Sequence, residues 1–463
     1  MIDLRAEKGF YKHAMMIAIP IIVQNGITQF VNMVDNIMVG RVGTDPMSGV
    51  AIVNELLFVW YLCMFGGLSG IGIFTAQFYG KQDHKGIRYT FRLMLMLSVI
   101  LLAGGFLIYR LAGPSLIGLF LHDDGGIGNA AATMQYAVKY LNIMLIGLIP
   151  FAVTSSYGTT LKSMGDTVAP MTASLIAVGL NLVGNYILIF GKLGAPALGV
   201  SGAAIATVIS RFAEMLIIIL YVHRRLASYP FIKKAITSLY VPKDLVVNCI
   251  RKGLPLLLNE TLWAFGMAML TQSYSLRGLS VIAAFNISQT VSNVFNVVFI
   301  AMGSAVGIII GQELGMGKMD TVKTDADRLI VFAVLVSCLT MPLQLAISGV
   351  FPNIYNTSQE IRNMASWLIR ISALCVPLYA YENAAYFTLR SGGKTMITFL
   401  FDSCFVWICP LPLAFVLSRY TTVPIILLFL LVQLTDAIKC LIGYFMLRKG
   451  IWIHDLTEYT ETV

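Results

Sequence analysis

Twelve long apolar stretches, separated by short polar breaks, make up nearly the whole of this chain. Hydropathy and breaker residues set them at 14–40, 51–79, 89–112, 130–160, 167–190, 199–223, 247–275, 280–314, 327–350, 362–389, 395–418 and 423–447. Each is long enough to cross the ~30 Å hydrocarbon layer as a helix. The pattern predicts an all-α polytopic membrane protein of twelve transmembrane helices. With the amino terminus in the cytoplasm, the even-numbered connections and both tails hold 22 of the 32 Lys and Arg. Only Arg41, Arg110, Lys192, Arg277, Arg362 and Arg419 lie at the odd-numbered connections. The positive-inside rule therefore places both termini in the cytoplasm of a multi-pass plasma (inner) membrane protein. No short apolar run with a cleavage site precedes the first stretch, so no removable signal peptide is expected.

The longest connection contains Arg224, Arg225, Lys233, Lys234 and Lys243 and divides the chain. Expected domains are 1–223, a basic cytoplasmic linker at 224–246 along an anionic leaflet, 247–447, and a cytoplasmic tail at 448–463. Internal repeats support the division. Pro20 in AIPIIVQN matches Pro255 in GLPLLLNE at an offset of 235, and the same offset brings Gln77 and Gly80 of TAQFYG onto Gln312 and Gly315 of IGQELG. LKSMGDT from Leu161 repeats as LRSGGKT from Leu389. Six spans per repeat is an even number, so both halves enter from the same side. Two six-helix bundles related by a pseudo-two-fold axis along the membrane normal are expected, an architecture characteristic of transporters.

Against this apolar background Asp35 stands out. An aspartate within a span costs roughly 2.5–3.5 kcal/mol on insertion scales and is a functional-site candidate by default. Asn25, Thr28, Asn32 and Asp35 recur at 3, 7 and 10 residues, on one helical face that should line a wet cavity. In the fifth span Asn181 and Asn185 stand at i,i+4 on one face. Amide oxygens beside a carboxylate can coordinate Na+ or hydrogen-bond a carboxyl that exchanges a proton; the alternative is amide glue between helices, worth roughly 0.6–2 kcal/mol. Glu260 follows Pro255 by five residues and Glu382 precedes Arg390 by eight, in helices of opposite direction, so the two are expected to approach at a common depth as a second cation or proton site. Asn259 and Asn383 beside them are expected to line the substrate cavity. Arg211 with Glu214 and Asp436 with Lys439 stand at i,i+3 and read as self-neutralising structural pairs. Lys139 and Arg370 have no assigned partner.

Composition changes the picture only by exclusion. With 57% hydrophobic and 12% charged residues and a mean hydropathy of +0.80, the chain has about half the charge fraction of a soluble protein. The net charge of +9 reports topology rather than nucleic acid, because the basic residues are not clustered with stacking aromatics. Seven cysteines scattered through apolar segments indicate neither a metal site nor a disulfide framework. No nucleophile with a base appears, so an enzyme is not expected.

These residues resemble the multidrug and toxic compound extrusion transporters. FVNMVDNIMVGRVG looks like that family's first-helix signature, LNLVGNYILIFGKLGAPALGVSGAAIAT like its fifth-to-sixth helix segment, and LRSGGKT like its tenth-helix exit. The resemblance implies two six-helix bundles around a central cavity, with Asp35 as the amino-terminal cation or proton carboxylate and Asn181 and Asn185 as its neighbours. The carboxy-terminal half departs from the sodium-coupled branch: there the seventh-helix glutamate follows its proline by eight residues and the tenth-helix aspartate precedes its arginine by eleven. Here the counts are five and eight, so neither residue aligns. The expected function is antiport of amphipathic, often cationic organic molecules against Na+ or H+, by a monomer in contact with membrane lipids and without an organic cofactor. The first rival is a flippase of a lipid-linked precursor, which would want a strongly cationic cavity where only Arg370 and Lys139 are candidates. A nonenzymatic membrane receptor is the second.

Overall fold

A computed structural model describes residues 8–121, 129–355 and 357–457. Residues 1–7 of the first expected domain and 458–463 of the expected tail lie outside them. Twelve helices among the described residues are long and apolar enough to cross a membrane. The first six are Lys8–Gly40, Thr44–Gly80, His84–Gly118, Ala130–Ser163, Val168–Phe190 and Val200–Arg224. The seventh and eighth are Lys243–Ser275 and Leu279–Gly315. The ninth is broken at Leu339 into Val322–Cys338 and Thr340–Ser348, and the tenth is Gln359–Ser391. The eleventh runs from Thr395 to Tyr420, with a π turn at Leu400–Cys404 and a break at Cys409, and the twelfth is Ile425–Arg448.

Several helices outrun their apolar stretches. The second begins at Thr44 instead of 51, because Asp45 and Pro46 suit a first helical turn, where an acid meets the positive end of the dipole and a missing N–H costs nothing. Hydropathy measures only the part of a helix that lipid accepts. Pro20, Pro114, Pro150, Pro255 and Pro377 all sit inside continuous helices, which membrane helices tolerate when neighbours satisfy the freed carbonyls.

By contact the described residues form two compact units, one within Val23–Thr75 and His84–Val247, the other within Met1–Ile22, Ala76–Asp83 and Asn248–Thr460. In the amino-terminal unit the third, fourth, fifth and sixth spans pack on one another. Small residues bring them close: a Cβ on Gly184 would lie 3.0 Å from Ala206 Cβ. The basic connector is pinned to the third span, where Arg92 donates to the carbonyls of Lys234, Ala235 and Tyr240 and Arg88 donates to that of Phe231. Tyr229 of the connector donates to Asp166, between the fourth and fifth spans. Burial pushes its phenol up, and the neighbouring carboxylate adds to the effect.

In the carboxy-terminal unit the tenth span packs on the eighth and the twelfth, around a core that includes Ala301, Val306, Ile310, Ala384 and Phe401. Here the repeat becomes visible as packing. A Cβ on Gly80 would lie 2.0 Å from Gln312 O, and one on Gly315 would lie 1.9 Å from Gln77 O. The matched motifs thus touch reciprocally, as a local two-fold relation requires. Gln77 also holds the chain end: its Nε2 donates to Ser391 O and His454 O, and its Oε1 accepts from Leu456 N at 2.7 Å. Because the obstacle at Gly80 is backbone, no rotamer change relieves it. Gly80→Ala is therefore expected to destabilise by about 1–3 kcal/mol, whereas Gly179→Ala, with no atom within 4 Å of its Cβ, should be neutral or slightly stabilising. Thermal unfolding of the two purified variants checks this.

Candidate cation and substrate site

The amino-terminal unit assembles its site from three helices. Gly191 takes a left-handed φ of +65° at the end of the fifth span, and Gly202 lets the sixth span meet the Leu188 backbone, since a Cβ there would lie 2.4 Å from Leu188 O. This tight hairpin sets Asn181 opposite Thr207. Asn181 Nδ2 donates to Thr207 Oγ1 at 3.1 Å, and Thr207 donates in turn to Ala203 O at 2.9 Å. One turn along, Asn185 Nδ2 donates both to Asn181 Oδ1 at 3.2 Å and to Asp35 Oδ1 at 2.7 Å. The three residues expected to meet do meet, in an ordered relay from Thr207 to Asp35. Asn185 Oδ1 is buried, with no hydrogen-bond partner among the described residues. An unsatisfied buried carbonyl next to a half-buried carboxylate is a ligand set of hard oxygens, which fits Na+ or a protonated carboxyl.

The rest of the expected polar face is not gathered there. Thr28 donates to Gln24 O of its own helix at 2.8 Å, Asn25 is half-buried, and Asn32 is exposed. Aromatic residues without a signal in the helical spacing gather in this unit instead. Tyr140 lies within electrostatic reach of Asp35, Tyr61 and Arg211 and donates to Asn54 Oδ1 at 3.4 Å. Arg211 donates to Tyr61 OH at 2.6 Å and sits over the Tyr61 and Phe151 rings at 5.1 and 5.3 Å. Its i,i+3 neighbour Glu214 is also within reach of Lys162 and bonded to Ser174, so the expected two-residue pair is part of a wider cluster.

In the carboxy-terminal unit the structure gives Glu260 and Glu382 different partners. Glu260 Oε1 accepts from Tyr386 OH at 3.0 Å. Glu382 forms an ion pair with Lys439 at 3.4 Å. The i,i+3 spacing predicts that Lys439 neutralises Asp436 on its own helix, yet it donates to Asp402 Oδ1 at 2.9 Å. The reason is the π turn at Leu400–Cys404, whose extra residue displaces Asp402 from regular helical register. There Asp402 competes with Asp436 for one ammonium. Asp402 belongs to the set that reasoning from sequence missed, although an aspartate inside FLFDSCFVW carries the same signal that singled out Asp35.

Asn259, expected to line the substrate cavity, is instead closed off inside the unit. It is fully buried, its Nδ2 donates to Asp402 Oδ2 at 2.9 Å and Tyr386 OH at 3.4 Å, and its Oδ1 accepts from the Ser403 backbone and hydroxyl. An amide so occupied has nothing left for a substrate. It ties the seventh span to the tenth and eleventh. Tyr386 OH, donating to Glu260, also accepts from Arg390 Nη1 at 3.5 Å. Asn383 lies against the eighth span, where a Cβ on Gly303 would fall 2.0 Å from its Oδ1, and that oxygen is buried without a hydrogen-bond partner among the described residues.

The MatE family model matches residues 20–187 and 255–416 of this chain. A curated relative, the probable multidrug resistance protein YoeA of Bacillus subtilis, is 24% identical over 91% of this chain and 90% of its own length. The probable multidrug resistance protein NorM of Thermotoga maritima is 23% identical over 88% of this chain and 86% of its own. Among solved structures, an outward-facing multidrug resistance MATE family transporter of the MOP superfamily superposes with a TM-score of 0.84, covering 96% of each chain at 18% identity. That likeness shows the fold.

Proposed function

Because the chain belongs to the MatE family, with twelve apolar helices of a multi-pass membrane transporter, we propose that it is a cation-coupled exporter of amphipathic, often cationic organic compounds. The single observation that carries the coupling is the Asp35 carboxylate held by Asn185, beside the unpartnered Asn185 Oδ1. An ion or proton on Asp35 removes its negative charge. Binding of a cationic substrate to the same negative field then competes with the ion, and the effect is reciprocal by linkage. Alternating access completes the cycle: the ion favours one orientation and the substrate the other. Relatives named as multidrug resistance proteins support the substrate class. The excess of Lys and Arg on the even-numbered connections supports an inner-membrane orientation with both termini in the cytoplasm, and the exporter acts as a monomer surrounded by lipid.

Nothing in the site favours a flippase. Lys139 is exposed, and Arg370 is engaged by Ser348 Oγ at 3.3 Å and by the Trp367 ring, so neither supplies a cationic cavity for a pyrophosphate.

Vesicles containing the purified protein, loaded with a fluorescent organic cation, test the proposal. A sodium gradient and, separately, a pH gradient are imposed. Flux of the dye driven by one of them is expected. No flux with either would overturn the reading.

A further inference from the structure

We propose that Lys439 is the resident cation of the carboxy-terminal cluster, closing Asp402 and Glu382 to any free metal ion and so determining ion selectivity in that unit. The inference rests on the proposed coupling at Asp35 and goes beyond it, since it assigns a different role to the second group of intramembrane carboxylates.

The geometry is that of an occupied cation site. The Lys439 ammonium, on a residue only 6% exposed, lies 2.9 Å from Asp402 Oδ1 on the eleventh span and 3.4 Å from Glu382 Oε2 on the tenth. It also sits 5.4 Å from the Phe401 ring centroid. Two carboxylates from separate helices converge on it, with Asn259 fixing the far oxygen of Asp402 at 2.9 Å. A free monovalent cation would need those same two oxygens. Lys439 reaches them from its own twelfth span on a covalent tether, so it neither diffuses away nor exchanges with solution. Among the described residues, the remaining charged groups facing the cluster are Asp436 on the same helix and Glu260 with Arg390 beyond Asp402. None of these offers a second ammonium to Asp402 and Glu382.

Two consequences are measurable. Once Asp35 in the amino-terminal unit is neutralised, no exchangeable metal site is expected to remain, because the Lys439 ammonium fills the carboxy-terminal cluster. A protein that also lacks the ammonium has one, formed by Asp402 and Glu382 with a space where the lysine stood. A ligand that binds the native state raises its apparent stability by mass action, so purified protein is heated in sodium chloride and in choline chloride at equal ionic strength. Asp35→Asn is expected to melt at the same temperature in both salts. Asp35→Asn with Lys439→Ala is expected to melt roughly 2–4 °C higher in sodium. Where the alanine variant does not give a monodisperse helical protein, Lys439→Ser takes its place, since it also removes the ammonium and leaves the space beside Asp402 and Glu382 open. A sodium response in Asp35→Asn with Lys439 intact overturns the proposal. So does the absence of a response in a folded variant without the ammonium. Both readings are made on purified protein without transport, so they stand apart from the dye-flux result that decides the proposed function.

Discussion

Replacing Asp35 with asparagine is expected to abolish ion-driven export while the protein still folds. The side chains are nearly isosteric, and the amide oxygen of the replacement can still accept from Asn185 Nδ2, the bond that now spans 2.7 Å. What disappears is the charge. Coupling free energies between two sites are typically about 1–3 kcal/mol, or roughly 5–150-fold in affinity, and all of it should be lost when the side chain can hold neither Na+ nor a proton. Dye flux in vesicles should therefore stop responding to the driving gradient, while the melting temperature stays close to that of the parent. Asn185→Ala should fall between the two, because it leaves the charge and removes the amide that positions it. Normal export by Asp35→Asn with unchanged ion dependence would remove this site from the mechanism.

Lys439→Met should have the largest effect on stability. Methionine keeps much of the apolar stem and deletes the ammonium, leaving Asp402 and Glu382 inside the unit without their counter-charge. Breaking a buried ion pair by removing one partner costs about 3–5 kcal/mol, because the remaining charge stays desolvated. Adding Asp402→Asn should recover much of that loss, since the asparagine removes one orphaned charge and keeps a polar contact with Asn259. The signature is strong non-additivity in a double-mutant cycle, of the size seen for residues in one network. Thermal unfolding in choline chloride measures it. Additive effects of the two substitutions would mean that the ammonium does not act on Asp402.

Within the candidate site, legibility depended on whether partners share a helix. Asn181 and Asn185 were readable as one unit because i,i+4 spacing alone puts them on one face. Their meeting with Asp35 was not a matter of periodicity: it entered through the family resemblance, and the hairpin at Gly191 and Gly202 provides the geometry. Periodicity also placed Asn25, Thr28 and Asn32 with Asp35. A shared face says nothing of what stands opposite it, and only Asp35 has the amides opposite. Asp436 and Lys439 show the converse. Spacing correctly put them on one helix face, yet the ammonium went to Asp402, which is 37 residues away along the chain.

What the amino-acid sequence determined by itself is what a one-dimensional record can hold. Lipid tests each segment separately for length and apolarity, so twelve spans and their approximate ends are written in consecutive residues. The repeat is likewise a property of spacing, and the reciprocal contact of Gly80 with Gln312 and of Gly315 with Gln77 turns the offset of 235 into packing. Tertiary structure decided which charges meet. In a low-dielectric interior the energy of an ion pair varies steeply over a few ångströms, and distances between helices follow from side-chain packing, glycine contacts and one π turn rather than from order along the chain. Asp402 holds Lys439 because the Leu400–Cys404 turn carries it to within 2.9 Å of the ammonium.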